Sequence, residues 1–172
     1  ILLIGRTESR TLAPNLQPVD LLGLCREIVT EIEQTGAAEH KVAFECQAQS
    51  QNTVTDPRLL RHVLSNLLDN AAKYSPAGST IHFGVTCAAE RATFTVRDEG
   101  VGIAQNDLDR LFEPFFRADS VVSAQGTGLG LAIVKQMVDQ LGGTIEVSSV
   151  VGAGTAFVIT LPLVAPDEAV NA

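Results

Sequence analysis

Asn66, Asn70 and Lys73 occur within nine residues that end at Tyr74. At about 100° per residue, Asn70 lies about 40° and Lys73 about 20° from Asn66, so one helix presents all three on one side. Leu60, Leu64, Leu67 and Ala71 form the opposite, apolar stripe. Asparagine is a mediocre helix former, so two on successive turns ask for a reason. An Asn carbonyl oxygen can take one octahedral position on a hard cation such as Mg²⁺, with phosphate oxygens and water in the others. Lys73 could then neutralise a phosphate as a point charge. A solvated helix back is the competing reading of the same residues.

Three further runs could do chemistry. Asp98-Glu-Gly-Val-Gly-Ile103 falls where a strand gives way to a loop. Spaced glycines there let the backbone approach a flat ligand while the carboxylate accepts from an exocyclic amine; an ordinary turn is the alternative. Gly126-Thr-Gly-Leu-Gly-Leu-Ala-Ile133 runs straight into a helical pattern. Free N–H groups and the helix dipole at such a start suit phosphate. The run is not a P-loop, because the sequence has no Gly-Lys pair, and its spacing is not the dinucleotide fingerprint. Phe112-Glu-Pro-Phe-Phe-Arg117 lies in a long loop. Its rings must dock somewhere or fill the core, and Arg117 becomes a candidate clamp on an anion.

The elements that must position these runs follow from periodicity and punctuation. Pro18 opens a predicted helix with apolar residues at 21, 24/25, 28 and 32, ended by Gly36. Val42, Phe44 and Cys46 alternate with polar or small neighbours as a half-buried strand. Asp56-Pro57 is a helix start, N-cap then first helical position, and Pro76-Ala-Gly78 ends that helix after Tyr74. Ile81, Phe83 and Val85, then Phe94 and Val96, form a hairpin around 89–91. Residues 99–127 read as a long loop with one short helix near 106–112, a length typical of a functional lid or a disordered segment. A helix at about 129–141 stops at Gly142-Gly143, and strands at 144–149 and 155–161 flank the turn 151–154. Strands that pair as hairpins with helices on one side predict an α+β two-layer sandwich.

Composition narrows the function classes. The chain of 172 residues is large enough to bury a core without staples. Twelve Lys and Arg against twenty Asp and Glu give a net charge of −8, which argues against nucleic-acid or anionic-membrane binding by this chain. No apolar run approaches the ~20 residues of a membrane span. Cys25, Cys46 and Cys87 form no Cys-x-x-Cys pair and read as buried cytosolic thiols. Met137 is the sole methionine, so the chain reads as a piece of something longer.

Taken in order, the motifs resemble the catalytic and ATP-binding domain of bacterial two-component sensor histidine kinases. These belong to the wider GHKL family with DNA gyrase, heat-shock chaperones and mismatch-repair ATPases. Asn66–Tyr74 resembles the N box, Asp98–Gly102 the first glycine box, Phe112–Arg117 the F box and Gly126–Leu131 the second glycine box. Gly152-Ala-Gly-Thr155 resembles a further small box near the adenine. The resemblance runs from about residue 40 to 163. It implies the Bergerat ATP-binding fold, with a mixed, mainly antiparallel sheet, helices on one face and an ATP lid over about 104–127. It implies Asn70 as the Mg²⁺ ligand, with Asn66 near the metal or phosphates. Lys73 and Arg117 would address phosphates, and Tyr74 would line the nucleotide. Asp98 would bind the adenine amine, supported by Gly100, Gly102, Ile103 and Thr155. Gly126, Thr127, Gly128, Leu129, Gly130 and Leu131 would receive the phosphates.

Hydrolysing relatives carry a water-activating glutamate where this chain has Asn66, which cannot act as a base. The resemblance therefore favours phosphoryl transfer to a protein over hydrolysis. The acceptor is absent: none of the three histidines, at 40, 62 and 82, sits in the family's acceptor pattern, and His62, one turn before Asn66, reads as a surface residue near the site's rim. The implied partners are ATP, a histidine-bearing dimerisation domain of the same parent and a downstream response regulator. Residues 1–17 resemble the end of the second dimerisation helix and its linker, 18–163 form the catalytic domain, and 164–172 are a tail. The fragment is expected to be cytoplasmic and monomeric, without direct membrane contact, while its parent can be membrane-anchored. The rival expectations are an ATP-hydrolysing domain, a serine kinase of the anti-sigma type and a non-catalytic docking module.

Overall fold

A computed structural model describes residues 13–35, 40–47, 52–88, 90–118 and 127–163. Strand β1 (Gln17–Asp20) leads into α1 (Leu21–Thr35), followed by β2 (Lys41–Cys46) and β3 (Asn52–Thr55). Helix α2 (Pro57–Tyr74) precedes the hairpin of β4 (Thr80–Ala88) and β5 (Arg91–Arg97). The short α3 (Gln105–Leu108), α4 (Gly130–Gln140), β6 (Thr144–Val150) and β7 (Gly154–Pro162) complete the order.

Five strands form one sheet in the order β2-β4-β5-β7-β6. Only the β2–β4 pair is parallel; the others are antiparallel, so the sheet is mixed and mainly antiparallel. Alternate strand residues supply the core: Ile81, Phe83, Val85, Phe94, Val96, Phe157 and Ile159 are buried, while their neighbours along each strand are less so. Leu60, Val63, Leu64, Leu67 and Leu68 of α2 pack onto that face with Ile28 of α1 and Val134 and Val138 of α4. The two-layer α+β architecture is the expected one.

The entry into this layer pair differs from the sequence expectation. Pro18 does not open a helix; it lies in β1, which pairs antiparallel with β3 as a separate two-stranded sheet. Proline fits an edge strand as well as a helix start. The capping role falls to Asp20, whose Oδ1 accepts the Leu22 N–H at 3.1 Å. Strand β3 has no counterpart in the sequence reading, because Asn52–Thr55 is short and its pairing is with a distant segment. The short helix expected near 106–112 is four residues at 105–108, with turns after it. Cys25 is buried, but Cys46 and Cys87 are half-buried at a sheet end, and all three are free thiols. Residues 1–12 and 164–172, assigned above to a dimerisation-helix remnant and a tail, lie outside the described residues, as does 119–126 of the expected lid.

Helix α2 starts where the sequence says. Asp56 has extended backbone angles and its Oδ1 accepts from Arg58 N at 2.9 Å and Leu59 N at 3.1 Å, two of the orphan donors of a helix start. Its Oδ2 accepts the Asn15 N–H at 2.8 Å, tying the incoming segment to the helix. Burial alone would raise the Asp56 pKa. The three N–H donors, with Arg58 adding its charge, outweigh it and hold the carboxyl below the ordinary value.

Candidate functional site

A cavity opens between the last turns of α2, the loop after β5, the start of α4 and the β6–β7 hairpin. Among the described residues, those expected at the site that line it are Asn70, Lys73, Tyr74, Asp98, Gly102, Ile103, Arg117, Thr127, Gly128, Gly130, Leu131 and Thr155. Asn66, Gly100 and Leu129 do not line it, and Gly126 lies outside the described residues. His62 is exposed and does not reach the cavity.

One end is built by α2. Asn66 and Asn70 are half-buried and hydrogen-bonded to each other: Asn70 Nδ2 donates to Asn66 Oδ1 at 3.1 Å. Lys73 is exposed, with its ammonium 5.1 Å from the Tyr74 ring centroid. Helix α4 begins directly over this pair. A Cβ on Gly130 would come within 3.1 Å of Asn66 Nδ2, so only glycine lets the helix start this close without crowding the amide. No side chain caps α4, whose N-cap is Leu129. Its first N–H groups have no intrahelical partner. Met137 and Val138 carbonyls take the closing bonds at the other end, through Leu141 and Gly143.

Arg117 reaches the cavity from the aromatic run, which the structure divides three ways. Phe112 packs against the core, Phe116 lines the cavity, and Phe115 is 72% exposed at φ 65°. The Phe115 N–H donates to the Gly128 carbonyl at 3.0 Å, so the aromatic and glycine runs are tied together. The Arg110 guanidinium covers Phe116 at 4.4 Å from its centroid.

The other end is built around Asp98, which is 6% exposed. The backbone stays in the ladder through Asp98 N to Thr155 O at 2.9 Å. Oδ1 accepts from Gly100 N at 2.8 Å and Thr155 N at 3.2 Å, which leaves Oδ2 with no hydrogen bond among the described residues. Burial pushes the Asp98 pKa up, and the two N–H donors reverse it only in part. The loop that follows is locked at three points: Val101 N to Tyr74 O, Gly152 N to Val101 O, and Ile103 N to Ser149 Oγ. Gly102 (φ +69°) and Gly154 (φ +109°) adopt left-handed angles, and a Cβ would meet the Val150 carbonyl in one case and the Asp98 carbonyl in the other. Both glycines are therefore required by angle and by space.

Val101, Leu111, Phe116, Ala118 and Phe157 line the cavity without having been singled out for it. Phe157 was findable, because alternation puts it on the same strand face as Thr155. Ser149 was findable too, since a turn at 151–154 sets it opposite Thr155.

The cavity thus brings together an amide and two cationic side chains, apolar walls and one buried carboxylate. Residues 55–165 match the family described as histidine kinase-, DNA gyrase B- and HSP90-like ATPase, and the chain belongs to that family. Its relatives include the sensor histidine kinase AtsR of Burkholderia thailandensis, 43% identical over 88% of this chain and 26% of the relative. The sensor histidine kinase WalK of Bacillus subtilis is 31% identical over 94% of this chain and 27% of the relative. The chain therefore spans about a quarter of the length of these curated relatives. Among solved structures, full-length ShkA in complex with AMPPNP superposes with a TM-score of 0.79 at 29% identity, over 90% of this chain and 32% of that one. The mycobacterial sensor histidine kinase MprB gives 0.77 at 30% identity, over 87% and 99%. Among the described residues, no helix is long and apolar enough to cross a membrane.

Proposed function

We propose that the chain binds ATP with Mg²⁺ and donates the γ-phosphoryl group to a histidine on a dimerisation domain of its parent protein, for relay to a response regulator. The observation that carries this reading is the set of groups that one cavity gathers. Asn70, Lys73 and Arg117 line the same cavity as Asp98, whose Oδ2 has no hydrogen bond among the described residues. The AMPPNP bound by the similar kinase ShkA supports the same ligand here.

Each residue then has a task. Asp98 accepts from the adenine amine, with Thr155, Gly100, Gly102 and Ile103 shaping its surroundings. Tyr74 lines the nucleotide. The glycine run 126–131 and the start of α4 receive phosphates, with Lys73 and Arg117 countering their charge. Asn70 is the residue fitted to Mg²⁺. Its amide nitrogen is engaged by Asn66, which leaves a neutral oxygen for a hard cation. When bound, the cation would neutralise charge on the transferring phosphoryl group. Asn66 offers no base for water, which favours transfer over hydrolysis. The fragment acts as half an enzyme, complete only with its acceptor, and its parent can be anchored at a membrane.

The test is twofold. Calorimetric titration with AMPPNP, with and without Mg²⁺, should give cation-assisted binding that Asn70→Ala and Asp98→Ala weaken. Mixing the chain with the dimerisation domain of its parent and labelled ATP should label that domain's histidine. Absence of nucleotide binding would leave a docking module as the better reading, and rapid phosphate release without labelling would favour a hydrolase.

A further inference from the structure

The Ser149 hydroxyl sits in a fully determined set of hydrogen bonds. Its Oγ lies 2.9 Å from the Gly154 carbonyl oxygen, which can only accept, so Ser149 spends its one proton there. The Ile103 N–H donates to the same Oγ at 2.8 Å. Thr155 Oγ1 stands at 2.9 Å as the third partner. With the Ser149 proton already used, the remaining contact has one solution: Thr155 donates and Ser149 accepts. Donor and both lone pairs of Ser149 are then satisfied.

The consequence falls on the cavity. Thr155 is 7% exposed and lines the same end as Asp98, whose Oδ1 its backbone N–H holds. A free threonine hydroxyl can offer a ligand either a proton or a lone pair. With its proton pinned on Ser149, this one offers lone pairs only. Asp98 as a carboxylate is also acceptor-only. We propose that Ser149 is a positioning residue for base selection: it turns the Thr155 hydroxyl so that Thr155, like Asp98, presents acceptors to the cavity. With the position-6 group set against Asp98 and Thr155 together, an amine there donates to their lone pairs whereas a carbonyl oxygen is repelled by them, so 6-amino purines are favoured through a residue that does not touch the ligand. This inference rests on the nucleotide reading above and adds to it the origin of part of its selectivity.

Ser149→Ala removes the acceptor and lets the Thr155 proton turn into the cavity. The test compares AMPPNP with its inosine counterpart, in which the amine is replaced by a carbonyl and N1 gains a hydrogen, by calorimetric titration of both proteins. The wild type should favour the amino nucleotide, and Ser149→Ala should narrow the ratio of the two affinities about three- to tenfold, the scale of one neutral hydrogen bond. Ser149→Cys, which fills the space with a poor hydrogen-bonding group, should narrow it likewise if the alanine variant fails to fold, and thermal melts identify that failure. An equal loss of affinity for both nucleotides, ratio unchanged, would overturn the proposal and leave Ser149 as a support for the 98–103 loop. If the wild type bound neither nucleotide, the proposal and the reading beneath it would fall together.

Discussion

The amide nitrogen of Asn70 donates to Oδ1 of Asn66 one helical turn earlier, at 3.1 Å. That bond decides which way Asn70 points. An amide has a donor end and an acceptor end, and Asn66 takes the donor end, so the carbonyl oxygen is turned to other partners. Asn66 is in turn held under the start of α4, where Gly130 leaves it room. On the proposed reading, two residues that look equivalent in the sequence then have different tasks, one orienting and one coordinating.

The first prediction separates those tasks. Asn70→Ala should abolish the gain in AMPPNP affinity that Mg²⁺ brings, leaving cation-free binding nearly as it was. Asn66→Ala should reduce the same gain by about three- to tenfold, since the Asn70 amide becomes free to flip. Asn66→Asp keeps an acceptor for Asn70 and should retain most of the gain. Titrations with and without Mg²⁺ on the three variants check the order.

At the other end of the cavity, Asp98→Asn should do more than weaken binding. Oδ1 must still accept from Gly100 and Thr155, so the new NH₂ group is directed where the carboxylate oxygen was free. A donor then faces the donor of a 6-amino purine. Affinity for AMPPNP should fall tenfold or more, on the order of the 1.5–3 kcal/mol of a charged hydrogen bond, and the inosine counterpart should become the better ligand.

Asp98 also gives the pH dependence its sign. Burial raises its pKa above the ordinary carboxylate value, and only the ionised form accepts on both oxygens. Nucleotide affinity should therefore begin to fall at a pH above the usual ~3.9 of an aspartate as the solution is acidified. The fall should be absent in Asp98→Asn. Affinities measured downward from pH 7, over the range in which circular dichroism shows the fold intact, check this. A wild-type affinity that stayed flat there would count against Asp98 as the acceptor.

What the sequence made legible was whatever depends on neighbours in the chain. Asp56-Pro57 marks the start of α2 because cap chemistry is local, and the 3.6-residue period of its leucines fixes which side carries Asn66, Asn70 and Lys73. The β6–β7 turn is equally local, since Gly152 and Gly154 are required by backbone angle. What was missed depends on partners far away. Pro18 suits two structures, and the choice is made by β3, more than thirty residues on. Phe112, Phe115 and Phe116 are alike in type, yet one fills the core, one walls the cavity and one faces solvent. The tie of Phe115 to Gly128 and the Arg110 guanidinium over Phe116 help to separate them. Ser149 stands opposite Thr155 by the register of a local turn, but the role proposed for it appears only when protons are counted across the hairpin.

Gly130 offers a case in which stability and binding should part. Alanine is the better helix residue by up to about 1 kcal/mol, so Gly130→Ala should leave the melting temperature unchanged or raised. Its Cβ would press on the Asn66 amide at 3.1 and 3.3 Å, closer than ordinary contact, and so disturb the residue that orients Asn70. AMPPNP affinity in the presence of Mg²⁺ should drop several-fold, a change on the scale of one hydrogen bond. A variant that both melted early and bound poorly would mean that the glycine serves the fold and not the site.

Asp56 supplies the opposite case, a carboxylate whose work is structural. It caps α2 and holds Asn15 with a side chain only 1% exposed. Its folded pKa lies below the ordinary value. The unfolded chain therefore binds the proton more readily, and the stabilisation is present above the unfolded value of ~3.9 and lost as pH falls through the folded one. Asp56→Ala should cost about 1–2 kcal/mol at pH 7, the range for losing a helix cap. The gap between wild type and variant should close as the pH falls below about 4. Asp56→Ser retains a capping oxygen but not the reach to Asn15, and should fall between the two. Urea denaturation of the three proteins at pH 7 and in acid measures the gap directly. If it stayed constant across that range, the ionised carboxylate would not be the group that ties the incoming segment to the helix.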